Sequence, residues 1–466
     1  MKRITILAAL VLAVLSLNAQ PKYVFYFIGD GMGDNHIMAA EMYRSALQGE
    51  PLGRVQTLMT QFPYSGHLST HSASNAITDS PAAGTCLATG HKVNNHVLGI
   101  SPAGDTLRTI AEQLKSEGWG IGIMTTVAID HATPAAFYAH DLNRSNYYPI
   151  GKQLCNSRFD FFGGAGFHHP EGKKDDQPVN LYRLAEQQGY TIAHGYTEAQ
   201  SALHDSQKMI LVQKDDDQGA KHGSSFDYVI DREDSALTLP QLVSTAIPFL
   251  QQRHERFFMM VEGGMIDYAC HEDDGRTSID EVWEMDQALQ VAYDFYLAHP
   301  DETLIIVTAD HETGGMALGN GNYKLHLDLL QHQECSAWVL SDMFNELFAN
   351  KKKPSWQEVQ TLWREKLGLW DSVPVTKEEE ASLKALYKIA VSGKSKDIET
   401  LYQDLNILAD AGVQLLNKKA HVAWTTHNHT AHPVPVFAIG VGAERFSGWH
   451  DNTEMVPLIQ SVLHAE

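Results

Sequence analysis

Four stretches of this chain set acids and imidazoles close enough in sequence to share a divalent cation. "VEGGMIDYACH" (261–271) carries Glu262, Asp267 and His271, and an Asp-x-x-x-His step puts the last two on one face of a helix. "TADHETGG" sets Asp310 beside His311, "TTHNHTAH" offers His427, His429 and His432, and "IGDGMGD" offers Asp30. Carboxylate oxygens combined with neutral imidazoles suit zinc and similar divalent ions. One such cluster would signify little, because an acid after a strand also caps helices. Several of them together supply oxygen and nitrogen ligands for more than one ion.

A fifth stretch, "AITDSPAAGTCLATG" (76–90), offers a nucleophile. Pro81 fits the first turn of a helix, where a missing N–H costs nothing. That predicts Ser80 at the N-cap, its hydroxyl at the positive end of the helix dipole. Ser80 then either caps the helix or attacks something negatively charged. A serine hydroxyl is a poor nucleophile near neutrality, and neither a G-x-S-x-G elbow nor a neighbouring histidine accompanies it. Coordination by a divalent cation would supply the missing activation.

The elements that must position these groups are legible as apolar runs. "YVFYFIG" (23–29), "IGIMTTV" (121–127), "FFMMVEG" (257–263), "LIIVTAD" (304–310) and "VPVFAIG" (434–440) read as buried strands. Helical patterns separate them, including "LRTIAEQLKSEG" and the 3-4-3-4 spacing of Val282, Met285, Leu289, Ala292 and Tyr296. The alternation predicts an α/β fold, a three-layer sandwich around a mostly parallel central sheet. Four of the five strands run into acids or histidines, and open α/β sheets bind ligands beyond the carboxyl ends of their strands.

The 466 residues are ample for one large core, and 43% of them are hydrophobic. Thirty-five basic against fifty-seven acidic side chains leave a formal charge of −22, which argues against nucleic acid or an acidic membrane surface as partner. Lys2 and Arg3 followed by "ITILAALVLAVLSLNA" predict a secretory signal over 1–19, cleaved after Ala19; the run is short for a membrane span. The mature protein is therefore expected to be exported, with no membrane attachment after cleavage. Four scattered cysteines do not make a disulfide framework, and Cys86 and Cys270 read as buried packing residues. Residues 165–240 read as polar surface excursions. Residues 325–420 turn helical and charged, which predicts an inserted cap, a solvated lid without chemistry of its own, between catalytic segments 20–324 and 421–466.

Taken in order, "IGDGMG", "TDSPAAGT", "ATGHKVNN", "HATPAAFYAH", "VEGGMIDYACH", "TADHETGG" and "HTAHPVPVFAIG" resemble the motif series of the alkaline phosphatases. The resemblance covers about residues 23–320 and 424–445. It implies hydrolysis of phosphate monoesters through a phosphoserine at Ser80, in an exported, periplasmic homodimer using two zinc ions and one magnesium ion. Asp267, His271 and His429 match the ligands of one zinc, and Asp30, Ser80, Asp310 and His311 those of the second. Asp30 would bridge to the magnesium with Thr133 and Glu262, His131 belonging to the same shell. Arg144 falls where the family keeps a phosphate-gripping arginine. His427 and His432 would stand outside the ligand set. Two positions depart from some bacterial relatives, with His131 replacing aspartate and Tyr268 replacing lysine. A phosphodiesterase or sulfatase on the same scaffold, or a non-catalytic metal- or phosphate-binding exported protein, remain as alternatives.

Overall fold

The computed structural model describes residues 20–50, 55–172, 179–213, 225–321, 323–351 and 353–464. The expected signal segment, 1–19, lies outside them. Ten strands form the central sheet: β1 (Tyr23–Gly29), β2 (Tyr64–Ser69), β3 (Gly120–Thr125), β4 (Phe161–Gly164), β5 (Tyr190–His194), β6 (Lys208–Val212), β7 (Phe257–Gly263), β8 (Thr303–Ala309), β9 (Val434–Gly440) and β10 (Gly448–Asp451). Their order is β10-β2-β9-β8-β1-β7-β3-β4-β6-β5. Every residue of β1, β3, β7 and β8 is buried, so helices cover both faces, as a parallel sheet requires. The molecule is the expected α/β sandwich.

Register decides the site. Tyr23 pairs with Phe257 and Thr303, and Gly29 with Gly263 and Ala309. On the far side of β7, Thr125 pairs with Glu262. The carboxyl ends of β3, β7, β1 and β8 are therefore level, and the residues that follow them emerge side by side.

The five expected strands are all present, and one of them differs in direction. β9 runs antiparallel to both β8 and β2. This reversal places the segment that precedes β9, rather than the one that follows it, at the same edge as Asp30 and Asp310. His429-Thr430 arrives there and pairs antiparallel with Glu312-Thr313.

The expectation for 165–240 is corrected. That stretch supplies β5 and β6, which pair parallel with each other and, through β6, with β4. Both strands are short, five residues each, and sit at the sheet's margin among polar segments, so their apolar signal is diluted. Between 325 and 420 the chain is helical, with helices Ala337–Asn350, Trp356–Leu367, Lys377–Val391 and Ile407–Ala420, and among the described residues there it supplies no strand of the central sheet. The four cysteines are free and buried.

Candidate active site

The helix carrying Asp267 and His271 spans Met265–His271, directly after β7, so the two side chains share one face. Nε2 of His271 lies 3.3 Å from Oδ2 of Asp267 and 3.1 Å from Nε2 of His429. Each imidazole is held by its other nitrogen. Nδ1–H of His271 donates to the His427 carbonyl at 2.5 Å, and Nδ1–H of His429 donates to the Thr78 carbonyl at 2.9 Å. Both Nε2 atoms are thereby turned toward Asp267, the arrangement that metal-binding histidines adopt.

Beyond β1 and β8, Asp30 and Asp310 stand beside His311. Nε2 of His311 lies 3.4 Å from Oδ1 of Asp30 and 3.3 Å from Oδ2 of Asp310. The Thr313 hydroxyl donates to Oδ1 of Asp267 at 2.5 Å and accepts from Nδ1–H of His311 at 3.2 Å, tying this group to the first. Gly31 makes the approach possible. Its φ is +74°, and a Cβ there would meet Oδ1 of Asp267 at 2.8 Å.

A third group lies toward β3. Thr133 donates to Oδ2 of Asp30 at 3.3 Å, and Glu262 and His131 complete the set. Three triads thus offer one ligand atom per residue within 4.8 Å of one another: Asp267, His271 and His429; Asp30, Asp310 and His311; Asp30, His131 and Glu262.

Ser80 meets the second triad. Its Oγ is 3.3 Å from Nε2 of His311, a partner that no neighbouring residue in sequence supplied. Its place in the helix Ser80–Thr89 is shifted by one from the expectation. Asp79 is the N-cap, accepting from the Ala82 N–H, and Ser80 is the first helical residue. A carboxylate caps as well as a hydroxyl does, so Ser80 has no capping duty and its oxygen can face His311. Arg144 is half-buried, and its Nη2 lies 2.8 Å from Nε2 of His131.

The electrostatics are severe. Burial, reinforced by their neighbouring carboxylates, pushes Asp30 and Asp310 well above the usual carboxylate range. Burial also moves Glu262 up to about 7. At Asp267 burial acts the same way, but His271, through its charge and its hydrogen bond, leads the opposing effects that hold the carboxyl well below its ordinary value. Burial keeps His311 and His131 well below theirs, so both are neutral and able to present lone pairs. Oδ1 of Asp30, Oδ2 of Asp310 and both oxygens of Glu262 are buried without a hydrogen bond. Orphaned buried acceptors are costly, and converging sets of them fit divalent cations, which satisfy several lone pairs at once.

The remaining histidines divide. His427 contributes its carbonyl to His271, while its ring faces Asp273 at 3.3 Å. His432 is exposed and bonds only locally, to Thr430 and Pro433. Two groups at the site went unnoticed in the sequence. Thr313 lies two residues beyond His311 inside "TADHETGG", a position that its motif flags. Tyr402 donates to Oδ2 of Asp267 at 3.0 Å and stacks on Tyr268 with ring centroids 3.6 Å apart. It belongs to the 325–420 segment, so the expectation of a lid without chemistry is corrected: that segment reaches a candidate ligand. A lone tyrosine in "ETLYQD" carries no periodic signal that could have found it.

A buried serine beside level strand ends crowded with acids and histidines is the arrangement of a metal-dependent hydrolase of the α/β sandwich type. The alkaline phosphatase family model matches residues 21–465, and the chain belongs to the alkaline phosphatase family. Among curated proteins, alkaline phosphatase 4 of Bacillus subtilis (strain 168) is 31% identical over 457 residues, covering 96% of this chain and 89% of its own. A cold-active alkaline phosphatase from a psychrophilic Shewanella superposes with a TM-score of 0.78 at 27% identity, over 94% of this chain and 99% of that one. The Thermus thermophilus alkaline phosphatase shares the fold, with a TM-score of 0.80 at 24% identity over 97% and 93% of the two chains.

Proposed function

We propose that this protein hydrolyses phosphate monoesters through a phosphoserine at Ser80. The observation that carries the reading is the 3.3 Å approach of Ser80 to His311 at the edge of three triads, two of which hold buried carboxylate oxygens without a hydrogen bond. Asp267, His271 and His429 are the proposed holders of one zinc ion, and Asp30, Ser80, Asp310 and His311 of the second. Asp30, His131, Thr133 and Glu262 are the proposed holders of a magnesium ion. Bound there, such ions would lower the pKa of a coordinated hydroxyl or water and neutralise charge on the phosphoryl group.

The chain's own residues do the rest. Ser80 Oγ gives up its proton to solvent and attacks phosphorus, the bond from phosphorus to the ester oxygen breaks, and the alcohol leaves with a proton from solvent. Water then cleaves the phosphoserine, returning Ser80 and releasing phosphate. Arg144 grips two phosphoryl oxygens through its planar fork, and the N-terminus of the helix Ser80–Thr89 faces the same negative charge. Arg144 favours a dianionic monoester over a diester, which has fewer charged oxygens to engage.

Export to the periplasm accords with the basic and apolar pattern of 1–19. Among the described residues no helix is long and apolar enough to cross a membrane. A homodimer, with 325–420 as an insertion between catalytic segments 20–324 and 421–466, completes the reading.

The test compares p-nitrophenyl phosphate with bis(p-nitrophenyl) phosphate before chelation, after it, and after zinc and magnesium are restored. Metal-dependent turnover with the monoester faster is expected; a faster diester overturns the assignment.

A further inference from the structure

Next to the candidate ligands lies a cavity of about 230 Å³, most of whose lining residues have no role in the phosphoryl chemistry. Two ring pairs wall it: Tyr268 stacked on Tyr402 at 3.6 Å, and Tyr147 tilted against His168 at 4.2 Å between centroids. Trp338, 8% exposed, adds a fifth ring. The cavity shares two walls with the site already described. His131 belongs to the triad with Asp30 and Glu262, and Tyr402 donates to Asp267. A phosphate ester bound among those groups would direct its alcohol portion toward these walls.

We propose that this cavity is the leaving-group subsite and that it selects esters of flat, uncharged aromatic alcohols, that is, aryl phosphate monoesters. The inference rests on the phosphomonoesterase reading above. Three properties carry it. The walls are predominantly aromatic rings, which favour offset or edge contacts with another ring. The volume is below the roughly 300–1,000 Å³ of pockets that enclose drug-sized ligands, so it suits one ring. None of the described lining residues is a lysine, arginine, aspartate or glutamate, and Arg144, 2.8 Å from the lining His131, is committed to the phosphoryl oxygens, so a leaving group bearing its own charge would gain no counter-ion of its own. Trp338, Leu401 and Tyr402 all come from the helical segment, which thereby contributes selectivity to a reaction performed by the sheet.

The experiment measures kcat/KM for phenyl phosphate and glycerol 2-phosphate with the metal-loaded parent and with Trp338→Ala and Leu401→Ala. Comparing the ratio of the two esters between proteins cancels the intrinsic reactivity of the phenol. The parent should favour phenyl phosphate, and the ratio should fall by roughly fivefold or more on losing the Trp338 ring. Leu401 is 52% exposed at the rim, so its truncation tests the subsite even if Trp338→Ala fails to fold; there the ratio should fall about twofold. A ratio unmoved in every variant that folds overturns the subsite while leaving the phosphatase reading intact. Turnover of neither ester by the parent overturns both.

Discussion

At the carboxyl edge of the sheet, Asp30, Glu262, Asp267 and Asp310 are each at most 1% exposed and crowd against imidazoles. Between 325 and 420 the charges instead pair at the surface, as Arg364 with Asp371 and Lys384 with Glu380 do. The helical segment reaches the candidate ligands through the Tyr402 hydroxyl, which donates to Asp267. The sheet edge is held in an electrostatically costly state by rigid, level strand ends, and cations would relieve that cost. The helices carry little such strain, and their contribution is shape. Catalysis and selectivity would then respond very differently to equal perturbations.

The largest effect should come from Ser80→Ala, which removes the nucleophile without touching the Asp79 cap. Turnover of p-nitrophenyl phosphate should drop by roughly 10³-fold or more, with phosphate and zinc binding partly kept. Undiminished activity would contradict the mechanism. Asp310→Asn keeps the shape but removes a charge from the second triad; its zinc content after dialysis should fall together with activity, by roughly 10²-fold in affinity.

Tyr402→Phe probes the junction between the two regions. Loss of one hydrogen bond to Asp267 should weaken zinc retention against a competing chelator by about tenfold. The ring persists, so the preference for phenyl phosphate should persist too. If zinc retention is unchanged, the helices act through shape alone.

Glu281, on the long helix Gly275–Ala298, sharpens the contrast between buried and exposed charge. Burial and the neighbouring Glu284 raise its pKa to about 8, although Arg232 opposes them. The folded state therefore binds this proton more tightly than the unfolded chain does. The stabilising contribution is complete below the unfolded value of about 4.5 and is lost as pH climbs through about 8. In chelated protein, Tm should decline from pH 5 to 8 more steeply for the parent than for Glu281→Gln. The smallest effect should be that of Glu334→Gln, which breaks a surface pair with Lys366; denaturant unfolding should move by no more than about 0.5 kcal/mol.

The central strands were readable because a parallel sheet buried on both faces demands unbroken apolar runs, and β1, β3, β7, β8 and β9 have them. β5 and β6 were not, because short marginal strands need little apolar content. The acids and histidines were legible as clusters within short segments, since strand ends and one helical turn bring i and i+4 together locally.

Sequence alone therefore determined the sheet's central strands, the presence of metal-compatible side chains, and the family. Tertiary structure alone decided that Ser80 faces His311, that a reversed β9 delivers His429 to Asp267, and that Tyr402 bonds to Asp267. The physical reason is that local periodicity follows from neighbouring residues. Contact across hundreds of positions depends on strand register and direction, which are fixed by the packed sheet as a whole.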